Sequence, residues 1–406
     1  MEGGADDGRL SEIAVVGAGV AGAALAIACR RNGQAVRLYD RRAETERDAT
    51  RLLELTANGT RVLHAIGLKD ALGRIGRFPS FATVRNSRTG FLLGQRPLGP
   101  FSEARYGAPC CLVRAEDLRA MLLDAARREG ITVEAPVTVT DVDTETGTLS
   151  LRDGRRTEHL AVAVATGRPG EAGTPELDAL LEPRQWAIPR TPTLIRARSW
   201  RSTPDREHGR FLTTWLGSGF VIVERPDTDP QGSRQPVELL VVQTTPREDR
   251  CATETCRALL AGCHPHLAGL AESLEARHEA VPVADVARHW QAGRAVLLGS
   301  ACHAAPAYPE LEPSAALEDA WILSRMMERW EDEPHQGFAD YERFRRARAT
   351  RLRTFAESEL AVQTLPAGAS RWQRDIRWSL SSRFLPEIAL EKLDWLYGYD
   401  CIRGFA

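Results

Sequence analysis

The sequence predicts an α/β protein in which a unit with buried parallel strands is interleaved with a separate antiparallel sheet and followed by C-terminal helices. Three patterns carry that prediction. The apolar run Ile13 to Val16 passes through three spaced glycines into a small-residue helix and on to a second short strand, Ala35 to Tyr39. Two further apolar runs, Leu160 to Ala165 and Ala295 to Leu298, end at Thr166-Gly167 and Gly299-Ser300, as buried parallel strands do when their C-terminal ends face a ligand. Between them, residues 191–245 hold strand-like stretches with no helix pattern to separate them, the grammar of an antiparallel sheet.

The N-terminal unit reads Gly17-x-Gly19-x-x-Gly22, then Ala23 to Ile27, the break Asn32-Gly33, and a strand ending on Asp40. Each part has a mechanical role. Gly17 permits the tight turn out of the strand, Gly19 lets the backbone approach a diphosphate, and Gly22 lets the helix sit close on the strand. The helix start offers unpaired N–H groups to the phosphates. Asp40, about 20 residues on, is placed to accept from ribose hydroxyls. The whole is a Rossmann-like dinucleotide-binding unit, far more specific than a lone glycine triplet. Ile13 to Cys29 is almost wholly apolar, but its glycines and a length below roughly 20 residues argue against a membrane span.

Composition sets the outer bounds. The 406 residues suffice for more than one core. A formal net charge of −2 predicts no general affinity for nucleic acid or anionic membranes. The eight cysteines are scattered without disulfide spacing, and no secretory pattern opens the chain, so a reducing, cytoplasmic setting is expected.

After the charged stretch Arg41 to Arg51, Leu52 to Leu55 leads to a helix pattern (Val62, Leu63, Ile66) closed by Gly67. Residues 80–113 carry strand pieces such as Phe81 to Val84. The next helix is headed by Arg114, whose place suits a phosphate or carbonyl contact as well as a plain surface arginine. Short strands from Ile131 to Leu151 alternate with the turn dipeptides Thr146-Gly147 and Asp153-Gly154. Within 191–245, Trp215 and Phe220 flank the turn Gly217-Ser-Gly219 and are expected to line an apolar pocket beside the glycine loop. Cys251, Cys256, Cys263, His264 and His266 cluster further on, but without Cys-x-x-Cys pairs no metal site is expected. After Ser300 come His303, Tyr308, Glu310 and Glu312, and Pro313-Ser314 starts a helix reaching Met327. A long helix over 337–360 places Phe338, Tyr341, Phe344, Leu352 and Phe355 on one side and its arginines elsewhere, as a solvated face.

With these pieces in order, the chain resembles the single-component FAD-dependent aromatic hydroxylases over nearly its whole length. The resemblance is carried by Gly17, Gly19 and Gly22 with Asp40, by the helix headed by Arg114, by the strand into Thr166-Gly167, and by the block Gly293 to His303 followed by Leu317 to Ala320. The ending Asp394-Trp-Leu-Tyr-Gly-Tyr-Asp400 is similar to that of salicylate-hydroxylase-type members. The resemblance implies a discontinuous FAD-binding domain over 10–80, 105–180 and 285–335. It implies a substrate-binding sheet domain over 81–104 and 181–284, and C-terminal helices over 336–406. It implies FAD as cofactor, NAD(P)H as reductant, and a tailoring monooxygenase of secondary metabolism acting on a hydrophobic aromatic or polyunsaturated small molecule. Gly17, Gly19, Gly22, Asp40, Arg114 and Ser300 are then the cofactor-binding candidates.

The departures from the family fall on one side of the cofactor. The family's aspartate after Gly299 is Ser300, its two loop glycines fall on Glu310 and Glu312, its Asp-Gly pair is Thr166-Gly167, and a glycine beside the flavin ring corresponds to Leu52. The AMP half keeps its glycines and acid. Carboxylates in place of loop glycines add bulk and oppose the negative charge of a reduced flavin, where donors are needed. This supports an alternative: a redox-neutral cyclase, isomerase or dehydratase on the same scaffold, with Glu310, Glu312 and His303 as acid–base residues. A non-catalytic binding protein on this fold draws support only from the same losses.

Overall fold

The computed structural model describes residues 12–43, 51–167, 192–201, 211–227, 235–244, 251–279, 286–303, 311–384 and 386–405. Strand Glu12–Val16 lies inside a six-stranded sheet whose order is Gln291–Ala292, Ala295–Leu297, Ala161–Val164, Glu12–Val16, Ala35–Tyr39, Thr132–Glu134. Every neighbouring pair is parallel except the first. Ala161–Val164 is buried at every position because both faces of the sheet are covered, which is why it reads as an unbroken apolar run. Its expected partner is in place, with Val162 opposite Ala295. The helix Val20–Arg31 is built of small residues and is buried from Ala21 to Cys29, in one core with Leu317, Ala320 and Leu323 of the helix Glu312–Arg329. Leu52–Leu55 forms a strand antiparallel to Cys111–Arg114.

The second sheet has seven strands, in the order Glu275–Glu279, Thr193–Arg201, Gln235–Gln243, Phe220–Pro226, Phe211–Leu216, Phe81–Asn86, Leu92–Pro97. It is antiparallel except where Phe211–Leu216 runs beside Phe81–Asn86. The pair of strands from 81–97 thus joins strands more than a hundred residues later, and the intervening chain adds Thr132–Glu134 and Ala161–Val164 to the first sheet.

Period-two alternation gives this sheet two distinct faces. Ile195, Trp215, Ile222, Leu239 and Val241 pack against the helices Ala252–Ala261 and Pro265–Leu270. Leu194, Leu212, Leu216, Val221, Val223, Leu240 and Val242 face the other way, onto Leu360 and Trp378 of the C-terminal helices. That second, inner face also grips the strand Leu52–Leu55. Glu238 accepts from the Leu52 N–H at 3.2 Å, and Arg225 donates to the Leu52 carbonyl at 3.1 Å.

The expectation for Trp215 and Phe220 is corrected by this geometry. Both lie on the outer face with the helices, not on the face that meets the first domain. The Trp215 indole N–H donates to Glu224 at 2.7 Å, and its ring stacks on His264 and His266. Cys256 is buried in the same apolar layer, and His266 pairs with Glu224. No helix among the described residues is long and apolar enough to cross a membrane.

Candidate functional site

A cleft of about 410 Å³ opens at the C-terminal ends of the parallel strands. It crosses the sheet from Leu298 and Ser300, past the glycine turn Val16–Ala21, to Asp40, Arg42 and Val137. Leu53, Arg119, Thr166, Gly167, Glu312, Pro313 and Ala316 complete its walls.

The three glycines occupy different physical situations. Gly17 has φ +107°, and a Cβ there would lie 2.4 Å from the Ala165 carbonyl oxygen. Gly22 would place a Cβ 1.9 Å from the Gly17 oxygen, so the helix reaches the strand only without a side chain. Gly19 heads the helix in extended conformation, and a Cβ on it would meet nothing within 4 Å. Its surroundings are the open cleft. Asp40 points back at this turn. Its Oδ2 accepts from the Ala18 N–H at 3.0 Å and from Arg119 at 3.2 Å, and its Oδ1 accepts from the Arg42 N–H at 2.8 Å.

Arg114 does not join them. It caps the helix Ala115–Arg128, but its guanidinium reaches Asp227 of the second sheet, at 3.1 Å from Nε and 3.0 Å from Nη2, and it is absent from the cleft wall. The arginine of this helix that does line the cleft is Arg119. The sequence signal that finds it is spacing: Ala115 and Arg119, four apart on one helix face, are both in the wall.

Ser300 and Glu312 lie in the cleft wall, Glu312 in the first turn of the helix Glu312–Arg329 and nearly buried. Tyr308 and Glu310 fall outside the described residues. His303 is not in the wall. It ends the short helix Ser300–His303, bonds to Asp319, and packs its ring against Trp290 at 5.5 Å between centroids. Its proposed acid–base role at the cleft is corrected: burial behind the wall makes it part of an ionic framework.

That framework is extensive. Arg345 donates from Nε to Asp319 at 2.5 Å and from Nη1 to Glu318 at 2.7 Å. Arg348 adds two bonds to Glu318 at 2.8 and 2.7 Å, and Asn58 a third donor at 2.6 Å. Arg348 also donates to the carbonyls of Trp395 and Leu396 at 3.0 and 3.1 Å, which ties in the C-terminal segment. Arg345, Glu318 and Asp319 have no solvent exposure, so the arginines of the long helix Pro334–Gln363 are not all on a solvated face. Cys302, His303 and Asp319 are close enough together to share a cation, but Arg345 already supplies the positive charge on Asp319.

Burial pushes Glu318 and Asp319 up, but the facing Arg348 and Arg345, and for Asp319 first His303, hold both below the usual carboxylate range. Burial pulls His303 down, yet Asp319 outweighs it and raises the imidazole. A free histidine titrates near 6.5. The contribution of His303 is therefore full below about pH 6.5 and is lost as pH rises through the higher folded-state value. We expect the urea midpoint of the protein to fall between about pH 6 and 8 by more than that of His303→Gln. Parallel slopes in the two proteins would show that the pair does not carry this dependence.

Residues 11–164 match the family described as FAD binding domain. The 3-amino-4-hydroxybenzoate 2-monooxygenase of Streptomyces platensis is 26% identical over 411 residues, covering 96% of this chain and 96% of its own length. The 6-hydroxynicotinate 3-monooxygenase of Bordetella bronchiseptica is 27% identical over 404 residues, covering 96% of this chain and 95% of its own. The chain is a relative of the FAD-dependent aromatic monooxygenases. Solved folds agree. Klebsiella pneumoniae HpxO complexed with FAD and uric acid superposes with a TM-score of 0.74 at 20% identity, over 94% of this chain and 95% of that one. A salicylate hydroxylase substrate complex gives 0.75 at 16% identity, over 97% and 96%.

The cleft of this monooxygenase relative fits a dinucleotide along the glycine turn. Gly19 leaves room for a phosphate, the start of Val20–Arg31 faces it, and Asp40 is anchored beside it by Ala18 and Arg119. At the far side the wall is formed by Leu53, Thr166, Leu298, Ser300 and the first turn of Glu312–Arg329.

Proposed function

We propose that the chain is an FAD-dependent monooxygenase that places one oxygen atom from O2 on a small aromatic acid, with NAD(P)H as reductant. The observation that carries this reading is the cleft: a cradle of Gly17, Gly19 and Gly22 at the C-terminal edge of a parallel sheet, continuous with the wall formed by Ser300, Glu312 and Pro313. The relatives' named substrates, an aminohydroxybenzoate and a hydroxynicotinate, support the substrate class.

Gly17 to Gly22 and the helix start hold the diphosphate, Asp40 the ribose, and Leu53, Thr166, Ser300 and Pro313 border the ring. Bound FAD supplies hydride acceptance and oxygen activation. The chain's own residues orient it, and the apolar side chains Leu212, Leu216, Leu240 and Val242 on the inner face of the second sheet keep water from the substrate side. Glu312 works against this cycle. Its carboxylate sits at the positive end of its own helix, where a reduced ring would otherwise be stabilised. We expect Glu312→Gln to raise the flavin's two-electron potential by about 30 mV, equivalent to about 1.4 kcal/mol. A potential unchanged or lowered would remove Glu312 from the ring's surroundings.

Glu312 also supports a second reading, a redox-neutral acid–base enzyme that uses this carboxylate on the substrate. The two separate cleanly. Anaerobic mixing of FAD-loaded protein with NAD(P)H should bleach the flavin, and readmitted O2 should be consumed. Turnover of an aromatic acid without reductant or O2, abolished in Glu312→Gln, would favour the second.

A further inference from the structure

Leu52–Leu55 pairs with Cys111–Arg114 in a sheet of two strands, so among the described residues one of its edges has no neighbouring strand. On the paired side, the Arg51 carbonyl accepts from the Ala115 N–H at 2.9 Å, and alternation along the strand turns the Leu52 N–H and carbonyl to the open edge. Buried backbone groups need partners. Two side chains of the second sheet supply them. The Glu238 carboxylate accepts from the Leu52 N–H at 3.2 Å. Arg225 Nη1 donates to the Leu52 carbonyl at 3.1 Å and to the other Glu238 oxygen at 3.2 Å. Arg196 holds the first Glu238 oxygen and donates from Nε to Glu279 at 2.9 Å. Arg196, Arg225 and Glu238 are all buried.

What this ion pair grips is a piece of the cleft wall. Arg51 and Leu53, the two neighbours of Leu52, both line the cleft. The far end of the same segment is tied to the helix Glu312–Arg329, whose first turn also lines it. There the Thr56 N–H donates to Ser314 Oγ at 2.9 Å, and Gly59 packs so close that a Cβ on it would lie 2.7 Å from the Ser314 Cα. The position of Leu53 is thus set by contacts at Leu52 on one side and at Thr56 on the other. Apolar side chains of similar volume would stabilise a buried boundary at least as well as an ion pair. They could not offer one peptide both an acceptor and a donor. Arg225 and Glu238 are cross-strand partners, next on the inner face to the pair Val223 and Leu240. The face assigned above to the substrate side therefore also holds this stretch of the cofactor cleft.

We propose that Arg225 and Glu238 act as positioning residues: by holding the Leu52 peptide at its N–H and its carbonyl, they set how far Leu53 reaches into the cleft and so fix the flavin end of the cofactor. The proposal rests on the placement of Leu53 at the border of the ring. The test is titration of the cofactor-free protein with FAD and with ADP, which fills only the glycine turn and the ribose site. Arg225→Met should weaken FAD by about 30-fold and ADP by less than about threefold. Arg225→Lys keeps a charged donor for both acceptors and should bring FAD back to within about threefold of the unmodified protein. Arg196→Met breaks the same buried cluster without removing a contact to Leu52. It should lower the urea midpoint as Arg225→Met does, yet leave FAD affinity within about threefold. If Arg225→Met does not fold, Glu238→Gln takes its place, with a loss of about tenfold for FAD and none for ADP. Equal losses of FAD and ADP, unchanged FAD affinity, or a loss in Arg196→Met as large as in Arg225→Met would each overturn the clamp. Leu53→Ala separates the clamp from the reading beneath it. Weaker FAD binding in Leu53→Ala with unchanged binding in Arg225→Met would overturn the clamp alone. Unchanged FAD binding in Leu53→Ala would remove Leu53 from the ring's border, and the clamp's role with it.

Discussion

Gly19→Val is expected to fold with a melting temperature close to that of the unmodified protein and to lose FAD affinity by at least about 100-fold, some 2.7 kcal/mol. The two halves of this expectation have separate causes. The backbone at Gly19 is extended, a conformation open to any residue, and a Cβ there meets nothing within 4 Å, so the fold is not strained. The same side chain fills the space a diphosphate needs to reach the start of Val20–Arg31. Gly22→Val is the opposite case. Its Cβ would lie 1.9 Å from the Gly17 oxygen, 3.1 Å from Val15 Cγ1 and 3.2 Å from the Ala165 Cβ, and the first of these is backbone that cannot move aside. That variant should lose at least about 3 kcal/mol of stability or fail to accumulate folded. Thermal melts and FAD titration of both variants make the comparison. Gly19→Val binding FAD as tightly as the unmodified protein would remove the glycine turn from the site.

Arg345→Met is expected to destabilise the protein by about 3–5 kcal/mol. The side chain is of similar volume, so the loss is electrostatic. Asp319 keeps only His303, Glu318 keeps Arg348 and Asn58, and both carboxylates stay fully buried. The control is Arg343→Met on the same helix, which breaks an exposed pair with Asp340 and should cost under about 1 kcal/mol. Urea unfolding gives both values. Equal costs for the two variants would mean that the buried framework contributes no more than a surface pair. The framework also has a functional consequence. It joins the helix Glu312–Arg329, whose first turn lines the cleft, to the long helix and to the carbonyls of Trp395 and Leu396, so Arg345→Met should also weaken FAD binding.

What the sequence made legible was local. The glycine turn, Asp40 and the paired strands at Ala161 and Ala295 follow from short-range rules: chain geometry at a tight turn, and apolar runs where both sheet faces are covered. Side-chain partners across long separations were not legible. Arg114 sits where a phosphate contact was expected, yet Asp227, more than a hundred residues on, takes it. Arg345 and Arg348 read as surface charges because helix periodicity does not reveal that Glu318 and Asp319 lie opposite them. Trp215 and Phe220 were placed by proximity to a turn, but strand alternation and the helix layer at 252–270 decide their face. His303 stood in the right block of sequence and on the wrong side of the wall.

The most direct test of the central claim is isotopic. FAD-loaded protein is incubated with NAD(P)H, a panel of hydroxy- and amino-substituted benzoates and nicotinates, and 18O2, and the product is weighed by mass spectrometry. The account predicts substrate-dependent oxidation of the reductant and a product carrying one atom of 18O. A product formed without reductant, or one whose new oxygen comes from water, would contradict it.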